Sequence, residues 1–331
     1  MKILVVRFSS IGDIVLTSPV LRCIKKQRPD AVIHYLTKRK FAPLLEANPY
    51  IDRLYFLDDT LQEVLGPLRK EQYDLVIDLH HNLRTLLLKL DLGVRSHSFS
   101  KQNIRKYLTV RFRRNLMPNR HVVSRYLDTL GSLGITDDGE GLDYFIPAKD
   151  RLQVKDLPLT HLHGFVAMAI GGQQATKKMP VERLKEMGAG LTVPVILLGG
   201  PEDRANGEII REGQEFKIFN GCGLFNINQS ASLLQLSKKV ITHDTGLMHI
   251  AAALKKEIIS IWGNTIPEFG MSPYFGKNHL SEPFAVNSHI MEVKGLSCRP
   301  CSKLGKKKCP KGHFNCMNRI PTEEVIDLVC R

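Results

Sequence analysis

The chain has 331 residues, of which 43% are hydrophobic and 24% charged; this composition is typical of globular proteins, and the length predicts two domains of about 150 residues each. The net charge of +14 favours an anionic partner: nucleic acid, anionic lipid or a phosphorylated small molecule. No apolar run reaches membrane-spanning length, and the N-terminus meets a charge by Arg7 without a cleavage site, so we expect a cytoplasmic protein with neither transmembrane helix nor signal peptide.

The first half of the chain alternates apolar strands with helical segments. Residues 3–7, 31–36, 54–57 and 75–78 have the apolar composition of buried strands. Helical spacing of apolar residues follows the first strand, from Ile14 to Arg28. This βαβα alternation predicts a parallel, doubly wound sheet.

A strongly basic segment comes next. Residues 92–127 contain no Asp or Glu but nine Lys and Arg residues. The segment is a candidate binding face for an anionic ligand, and the alternative is a solvated basic helix with its flanking loops. An amphipathic helix is expected over residues 122–133, ending at Gly134.

The second half begins after a polar region at residues 147–163. Strands are expected at residues 165–170, 193–198, 218–219, 240–242 and 258–262, with helices at 180–190, 230–237 and 249–254. The sequence therefore predicts two Rossmann-like domains, residues 1–155 and 156–331. Ligands bind between the carboxyl ends of the strands in such folds, so we expect the site in an interdomain cleft.

Asp13 lies in a glycine-containing turn directly after the first strand. A carboxylate there can accept a proton from an acceptor hydroxyl as a general base, and the alternative is that it caps the following helix. No G-x-G-x-x-G follows this strand and no G-x-x-x-x-G-K-[ST] occurs in the chain, which argues against a nicotinamide enzyme or a P-loop ATPase.

Residues 240–265 form a strand-turn-helix-strand unit around Asp244, Thr245 and Gly246. Asp244 or Thr245 can cap the helix, and Gly246 permits close backbone approach, so the helix N-terminus is a candidate anion site. His249, one turn inside the helix, can lean back toward a bound phosphate. The alternative is a capped helix that packs on a sheet, with His249 as an ordinary half-buried residue.

Two further loops follow strands of the second sheet, at the same edge of that sheet. In the loop at residues 171–180, glycines, Thr176 and Lys177 suit a phosphate, and the alternative is a solvated flexible loop. In the other loop, Glu202 or Asp203 can accept a hydrogen bond from a ribose or a base, although a helix cap is the commoner explanation.

Four cysteines lie near the C-terminus, with His313 between the last two. The spacing Cys298-x₂-Cys301-x₇-Cys309-x₆-Cys316 is compatible with a structural zinc site. In a cytoplasmic protein such cysteines bind metal or stay reduced in preference to forming disulfides. A short helix with Thr322 as its N-cap is expected to close the chain.

Two motifs together are more specific than either alone. R-F-S-S-I-G-D-I-V-L-T-S-P at residues 7–19, with H-D-T-G-L-M-H-I-A-A-A-L and I-W-G-N-T within residues 243–265, resembles glycosyltransferase family 9, the lipopolysaccharide heptosyltransferases. The resemblance implies a two-domain GT-B fold and an inverting transfer from a nucleotide-sugar, which is ADP-heptose in the best-known members. It implies an acceptor in the lipopolysaccharide inner core, and no catalytic metal is required because a helix dipole and cations can stabilise the leaving diphosphate.

The resemblance also implies roles for individual residues. Asp13 matches the proposed base, Lys177 the phosphate-contacting lysine and Glu202, loosely, a donor-binding acid. The nucleotide-diphosphate motif is matched by Asp244, Thr245, Gly246 and His249. Within the basic segment, we expect a phosphorylated or carboxylated lipid-linked acceptor to contact Arg111, Arg113, Arg114 and Arg120, with the protein peripheral on the cytoplasmic face of the inner membrane.

The sequence departs from the family around Lys177. Gly172-Gln173 precede it where hydroxyl residues are common, and Lys178-Met179-Pro180 follow it in place of x-W-P. A different donor sugar or acceptor therefore stays an alternative, as does a nucleotide-sugar hydrolase or epimerase of the same fold. A basic nucleic-acid-binding protein is a remote alternative, because the chain lacks any recognition module.

Overall fold

The N-terminal half folds into strands and helices that alternate along the chain. In the computed structural model, which describes residues 1–279 and 288–331, they are β1 (Lys2–Val6), α1 (Ile11–Val15), α2 (Ser18–Gln27), β2 (Val32–Thr37), β3 (Arg53–Phe56), α3 (Leu61–Lys70), β4 (Leu75–Asp78), α4 (Leu83–Leu92), β5 (Ser96–Ser98), α5 (Asn103–Phe112) and α6 (Val122–Leu127). The strands pair in parallel in the order β3-β2-β1-β4-β5. The prediction of a parallel, doubly wound sheet is confirmed.

The C-terminal half repeats the same arrangement. Its elements are β6 (Val166–Ala169), α7 (Val181–Gly190), β7 (Val195–Leu198), α8 (Arg204–Arg211), β8 (Ile218–Asn220), α9 (Ile227–Leu236), β9 (Lys239–His243), α10 (Gly246–Ala253), β10 (Glu257–Trp262), β11 (Ser288–Glu292), α11 (Asn315–Asn318) and α12 (Thr322–Cys330). These strands pair in parallel in the order β11-β10-β9-β6-β7-β8. Two Rossmann-like units, the architecture of a GT-B fold, are therefore present as expected.

A continuous cluster of buried apolar side chains joins the two units. It contains Val5 of β1, Val20 of α2 and Tyr126 of α6 from the first unit, together with Met248 and Ile250 of α10 from the second. Burial of apolar surface is the main favourable contribution to folding, so the units are held by direct packing as well as by the connecting chain. This contact places α10 against the end of the first sheet that carries Asp13.

The single helix expected from Ile14 to Arg28 is wrong, because the structure divides this segment into α1 and α2. Pro19 occupies one of the first two positions of α2. Proline lacks an N–H group and suits only a first helical turn, so a new helix starts there. The expected helix over residues 122–133 is α-helical only to Leu127, and a 3₁₀ turn carries it to Gly134.

The two sheets are connected by short 3₁₀ turns at Ala148–Asp150, Val154–Asp156 and Leu159–His161. The expected domain limit between residues 155 and 156 falls among these turns and stays a prediction. Helix α12 packs on α7, where a Cβ at Gly190 would come into conflict with Ile326, so the chain end belongs to the second unit. Thr322 is the first residue of α12, and its N-cap is Pro321. Within residues 1–279 and 288–331, no helix has the length and apolar character that a membrane span needs.

Candidate active site

The predicted site residues lie where the strand order of each sheet reverses. β1 neighbours β4, and β6 neighbours β9, although neither pair is consecutive in the chain. Ligands bind at such switch points, outside the carboxyl ends of the strands. Asp13 follows β1, the Lys177 loop follows β6, and Asp244 follows β9.

Helices α1 and α10 touch at their N-terminal ends through two glycines. A Cβ on Gly12 would overlap the ring of His249, and a Cβ on Gly246 would lie 2.5 Å from Cγ2 of Ile11. Side chains cannot be accommodated at that separation, so each position requires glycine. The close approach brings Asp13 of the first unit beside His249 of the second.

Both carboxylate oxygens of Asp13 are engaged. Oδ1 forms an ion pair with Nη2 of Arg7 (2.7 Å), and Oδ2 accepts hydrogen bonds from the backbone N–H (3.1 Å) and hydroxyl (2.8 Å) of Ser10. Burial opposes ionisation, but the charge of Arg7 and the bonds from Ser10 outweigh it, so the pKa of Asp13 lies below its ordinary value. Asp13 therefore takes part in the helix cap and is also an ionised carboxylate that faces α10.

Arg7 restrains the side chain of Asp13 through their ion pair. This buried guanidinium also donates from Nε to the carbonyl of Ser9 (2.6 Å) and from Nη1 to the carbonyl of Leu79 (2.5 Å). Three fixed partners leave it little rotational freedom. Through Arg7, the backbone segments that follow β1 and β4 therefore fix the position of the Asp13 carboxylate.

Among the residues that the structure describes, no side chain caps the N-terminus of α10. Thr245 occupies the N-cap position, but its side chain accepts no hydrogen bond from the helix. Asp244 faces elsewhere: its Oδ2 accepts from Oγ1 of Thr265 (2.8 Å) and pairs with Nζ of Lys177 (2.5 Å). The expectation that Asp244 or Thr245 caps this helix through its side chain is wrong, and the uncapped N–H donors and positive dipole end suit an anion.

His249 is buried between the two units. Burial lowers its pKa to about 4, against the opposing effects of Asp244 and Asp13, so the imidazole is neutral near pH 7. Its Nδ1 is buried without a hydrogen-bond partner among the described residues. The charges of Asp13, Lys177 and Asp244 all act on His249, which places the four residues in one cluster.

The loop that carries Lys177 is held at three points. The backbone N–H of Met179 donates to Nε2 of the buried His243 (3.0 Å), and Nζ of Lys178 pairs with Asp203 (3.0 Å). Thr176 exchanges hydrogen bonds with the backbone of Lys306. Lys177 is thus presented on a restrained loop and not on the flexible solvated loop of the alternative.

Glu202 and Asp203 have different environments in the structure. Glu202 is exposed on the turn Pro201–Asp203, with its carboxylate close to Gly200. Asp203 is buried, accepts from the N–H of Gly200 (3.1 Å) and pairs with Lys178. A donor contact by Glu202 stays a prediction, while Asp203 has a structural role beside the Lys177 loop.

The four arginines that are predicted to contact the acceptor lie on or after α5. Arg111, Arg113 and Arg114 are exposed, and Arg113 donates to the carbonyl of Ser297 (3.1 Å). Arg120 forms an exposed ion pair with Asp128 (2.8 Å). Their role in acceptor binding stays a prediction.

Two lysines of the same segment interact electrostatically with Asp13. Burial lowers the pKa values of Lys101 and Lys106, that of Lys106 to about 8, and the charge of Asp13 raises both. The charges of Arg7 and Lys303 act on both lysines as well. The positive charges of Arg7, Lys101 and Lys106 therefore lie within electrostatic range of Asp13.

The four C-terminal cysteines line one cavity of about 90 Å³ together with His313, Asn264 and Arg113. Burial and the neighbouring thiols raise the pKa of Cys316 to about 11. In the part of the chain that the structure describes, no three of these sulfur atoms lie within 4.8 Å of one another. Both amide atoms of the buried Asn264 lack a hydrogen-bond partner within residues 1–279 and 288–331, which marks the cavity as able to take a polar group.

The sequence pattern missed several residues that build this site. Arg7 is part of the first motif but was treated only as the end of a strand. Lys101 and Lys106 lie within the acid-free segment, which indicated the region without distinguishing its members. His243 directly precedes Asp244. Side chains alternate between the two faces of the sheet along β9, and this alternation is the signal that places His243 on the face opposite to Asp244.

Comparison with known proteins gives a consistent result. Residues 63–310 match the model of a family described as glycosyltransferase family 9 (heptosyltransferase). The chain is 24% identical to lipopolysaccharide heptosyltransferase 1 of Campylobacter coli, over 99% of this chain and 98% of that protein.

Two solved structures are similar over almost the whole chain. A family 9 glycosyltransferase from Veillonella parvula superposes with a TM-score of 0.75 at 25% identity, covering 98% of this chain and 95% of that one. The E. coli heptosyltransferase WaaC with ADP shares the fold, with a TM-score of 0.69 at 20% identity and 99% of each chain covered. The family match includes Lys177 and residues 244–249, while Asp13 precedes it.

Proposed function

Since the chain belongs to glycosyltransferase family 9, the heptosyltransferase family, we propose that it transfers heptose from ADP-heptose to the inner core of lipopolysaccharide, with inversion at the anomeric carbon. The observation that carries this proposal is the meeting of Asp13 with Lys177, Asp244 and His249 at the facing strand ends. An ionised carboxylate opposite a free helix N-terminus is what an acceptor hydroxyl and a donor diphosphate need.

The donor diphosphate is assigned to the N-terminus of α10. The free N–H groups after Thr245 donate to phosphate oxygens, and Lys177 adds a charge-assisted bond from the neighbouring loop. ADP is chosen as the nucleotide because the similar E. coli enzyme was solved with ADP. Glu202 is proposed to contact the nucleoside from the rim.

Transfer proceeds by direct displacement. The acceptor hydroxyl oxygen attacks the anomeric carbon and its proton passes to Asp13, while the bond from that carbon to the phosphate oxygen breaks and its electron pair leaves with ADP. Entry opposite the leaving group inverts the configuration. Lys177 and the N–H groups of α10 stabilise the charge on the leaving diphosphate, so the proposal requires no metal ion.

The acceptor enters from the basic segment. Its anionic groups are assigned to Lys101 and Lys106 beside Asp13, and to Arg111, Arg113, Arg114 and Arg120 farther along. A lipid-linked acceptor places the enzyme on the cytoplasmic face of the inner membrane, as a peripheral protein.

The test is transfer from a defined donor. With ADP-heptose and a core acceptor that lacks heptose, we expect the acceptor mass to increase by one heptose residue with release of one ADP, and NMR to give the inverted anomer. A thermal-shift screen of ADP-, GDP-, UDP- and CDP-sugars is expected to single out the ADP donor, because a ligand stabilises the state it binds. ADP release without acceptor would identify a hydrolase, and an isomerised nucleotide-sugar would identify an epimerase; either result overturns the proposal.

We further propose that Cys298, Cys301, Cys309 and Cys316 bind one structural zinc ion. They are the soft donors that zinc prefers and they line one cavity, and zinc binding would draw their sulfur atoms closer together than they lie in the structure. Through the hydrogen bonds of Lys306 to Thr176, an ordered cysteine segment also keeps the Lys177 loop in place.

Metal analysis of the purified chain checks this proposal. We expect about one zinc ion per chain, its loss in Cys301→Ser and Cys316→Ser, and a lower melting temperature in both variants because metal binding contributes folding free energy. Cys330→Ser is the matched control, since Cys330 is exposed and lies outside the cysteine cavity, with its Sγ 3.3 Å from Oγ1 of Thr192. A wild-type protein without metal, or the same metal content in all variants, would contradict it.

A further inference from the structure

Helix α4 turns its apolar side toward solvent. Leu83, Leu86, Leu87 and Leu90 are between 47% and 70% exposed, and their spacing of three and four residues places them on one stripe of the helix. The buried side of the helix holds Leu88 and the small polar Thr85. A helix that serves only its own core would have the reverse arrangement.

Helix α5 has the same character. Ile104, Tyr107 and Phe112 are between 59% and 76% exposed, and Leu116 just beyond the helix is also exposed. Only Thr109 of this helix is fully buried. The helix therefore presents apolar side chains that the protein itself does not cover.

These residues are concentrated in one part of the molecule. Of the sixteen large hydrophobic side chains that are exposed in the described part of the chain, eight lie between residues 83 and 116. Single exposed apolar residues are ordinary, but several on one stripe of a helix, as on α4, mark an interaction site. Since β4 and β5 are neighbours, α4 and α5 both begin at the carboxyl edge of the sheet, where Asp13 lies.

The charges around the group have one sign. Residues 92–127 contain no acid, and the single carboxylate of α4, Asp91, is paired with Arg69. The exposed cations that flank the apolar side chains are Arg84, Arg95, Arg105, Arg111 and Arg114. Leucines and aromatic rings framed by arginines suit an interface that is apolar inside and anionic at its surface.

We propose that the exposed side of α4, α5 and the turn to Leu116 docks onto an anionic lipid bilayer, with the leucines of α4 and the apolar residues of α5 inserted among the acyl chains. The arginines then lie at the level of the lipid phosphates. This inference deepens the proposed membrane location and rests on it for the choice of a bilayer as partner. The face borders the basic side of the active site, so a lipid-linked acceptor reaches Asp13 without leaving the membrane surface.

Vesicle sedimentation of the full chain tests the proposal without using activity. We expect binding to phosphatidylglycerol-containing vesicles, weaker binding to pure phosphatidylcholine, and a loss of at least about tenfold in the triple variant Leu83→Ser, Leu87→Ser, Leu90→Ser. The matched control changes three exposed apolar residues of the second half, Leu159, Phe216 and Leu224, to Ser and should bind as wild type. Unchanged melting temperatures show that each variant is folded.

The outcomes separate this inference from the proposed function. Equal vesicle binding by the α4 variant and wild type would overturn it, as would a concentration-dependent dimer that the same substitutions abolish, because a second copy would then cover the face. With a deacylated, water-soluble acceptor, the α4 variant should retain wild-type turnover. Failure of transfer in every variant would count against the proposed function and leave the vesicle result standing.

Discussion

Replacing Asp13 with Asn should slow transfer by about 10²–10⁴-fold, the usual contribution of a general base, while donor affinity stays close to that of wild type. Asn keeps the size of the side chain and an oxygen that can accept from Ser10, but it cannot take the acceptor proton. Steady-state turnover with saturating donor and acceptor measures the loss. Calorimetric titration with donor shows whether the site is intact.

Ser10→Ala is the informative control. It removes one hydrogen bond to Oδ2 of Asp13 but leaves the carboxylate and its ion pair with Arg7, so turnover should fall far less than in the Asn variant. Near wild-type turnover in the Asp13→Asn variant would remove Asp13 from the role of base. Loss of donor binding in that variant would show that the substitution damages the fold.

The pH profile of the wild-type enzyme follows from the same contacts. Asp13 acts as a base only when ionised, and its pKa lies below the ordinary value, so the acid limb of kcat/KM that it produces lies at lower pH than that of an ordinary aspartate. His249, with a pKa lowered to about 4 by burial, adds no limb near neutrality. An acid limb centred near pH 6 would mean that another group is the base.

Lys177→Ala should weaken donor binding by about 10- to 100-fold, which corresponds to the loss of one charge-assisted hydrogen bond. The reason is twofold. The variant lacks the ammonium that faces the diphosphate, and it leaves Asp244 as an unpaired carboxylate beside an anion. Donor titration calorimetry measures the change.

A double variant separates these two effects. Asp244→Asn in the Lys177→Ala background removes the unpaired charge and should recover part of the donor affinity. The hydrogen bond from Thr265 to residue 244 is kept in the single and in the double variant. Lys178→Ala is the matched control, because Lys178 pairs with Asp203 and not with Asp244, and its effect should be much smaller. Donor affinity within twofold of wild type in Lys177→Ala would assign the phosphate elsewhere.

The fold was predictable where the sequence is apolar and periodic. The central strands β1, β4, β6, β7 and β9 are buried on both faces, so their short apolar runs are unambiguous. The edge strand β5 consists of Ser96, His97 and Ser98, which have no apolar alternation to detect. The break at Pro19 was visible in the sequence, but the apolar spacing on both sides of it favoured one long helix.

The part of the site that lies at the carboxyl ends of the strands was predictable. Asp13, Lys177 and Asp244 follow strands of a doubly wound fold, and that rule alone places them together. The sequence could not show which of Glu202 and Asp203 is buried, because that depends on the backbone geometry of the turn that carries both carboxylates. It also could not place His249 against Gly12, since that contact depends on how two separately folded units pack.

The glycine contact between the two units has an electrostatic consequence. Gly12 and Gly246 let the first turns of α1 and α10 approach at backbone distance, so the positive partial charges of two helix N-termini lie close together, near the carboxylates of Asp13 and Asp244. An anion bound between them relieves this repulsion, so diphosphate affinity and contact between the units are thermodynamically linked. Under the proposed function, donor binding would strengthen the contact between the units to the same extent that this contact strengthens donor binding.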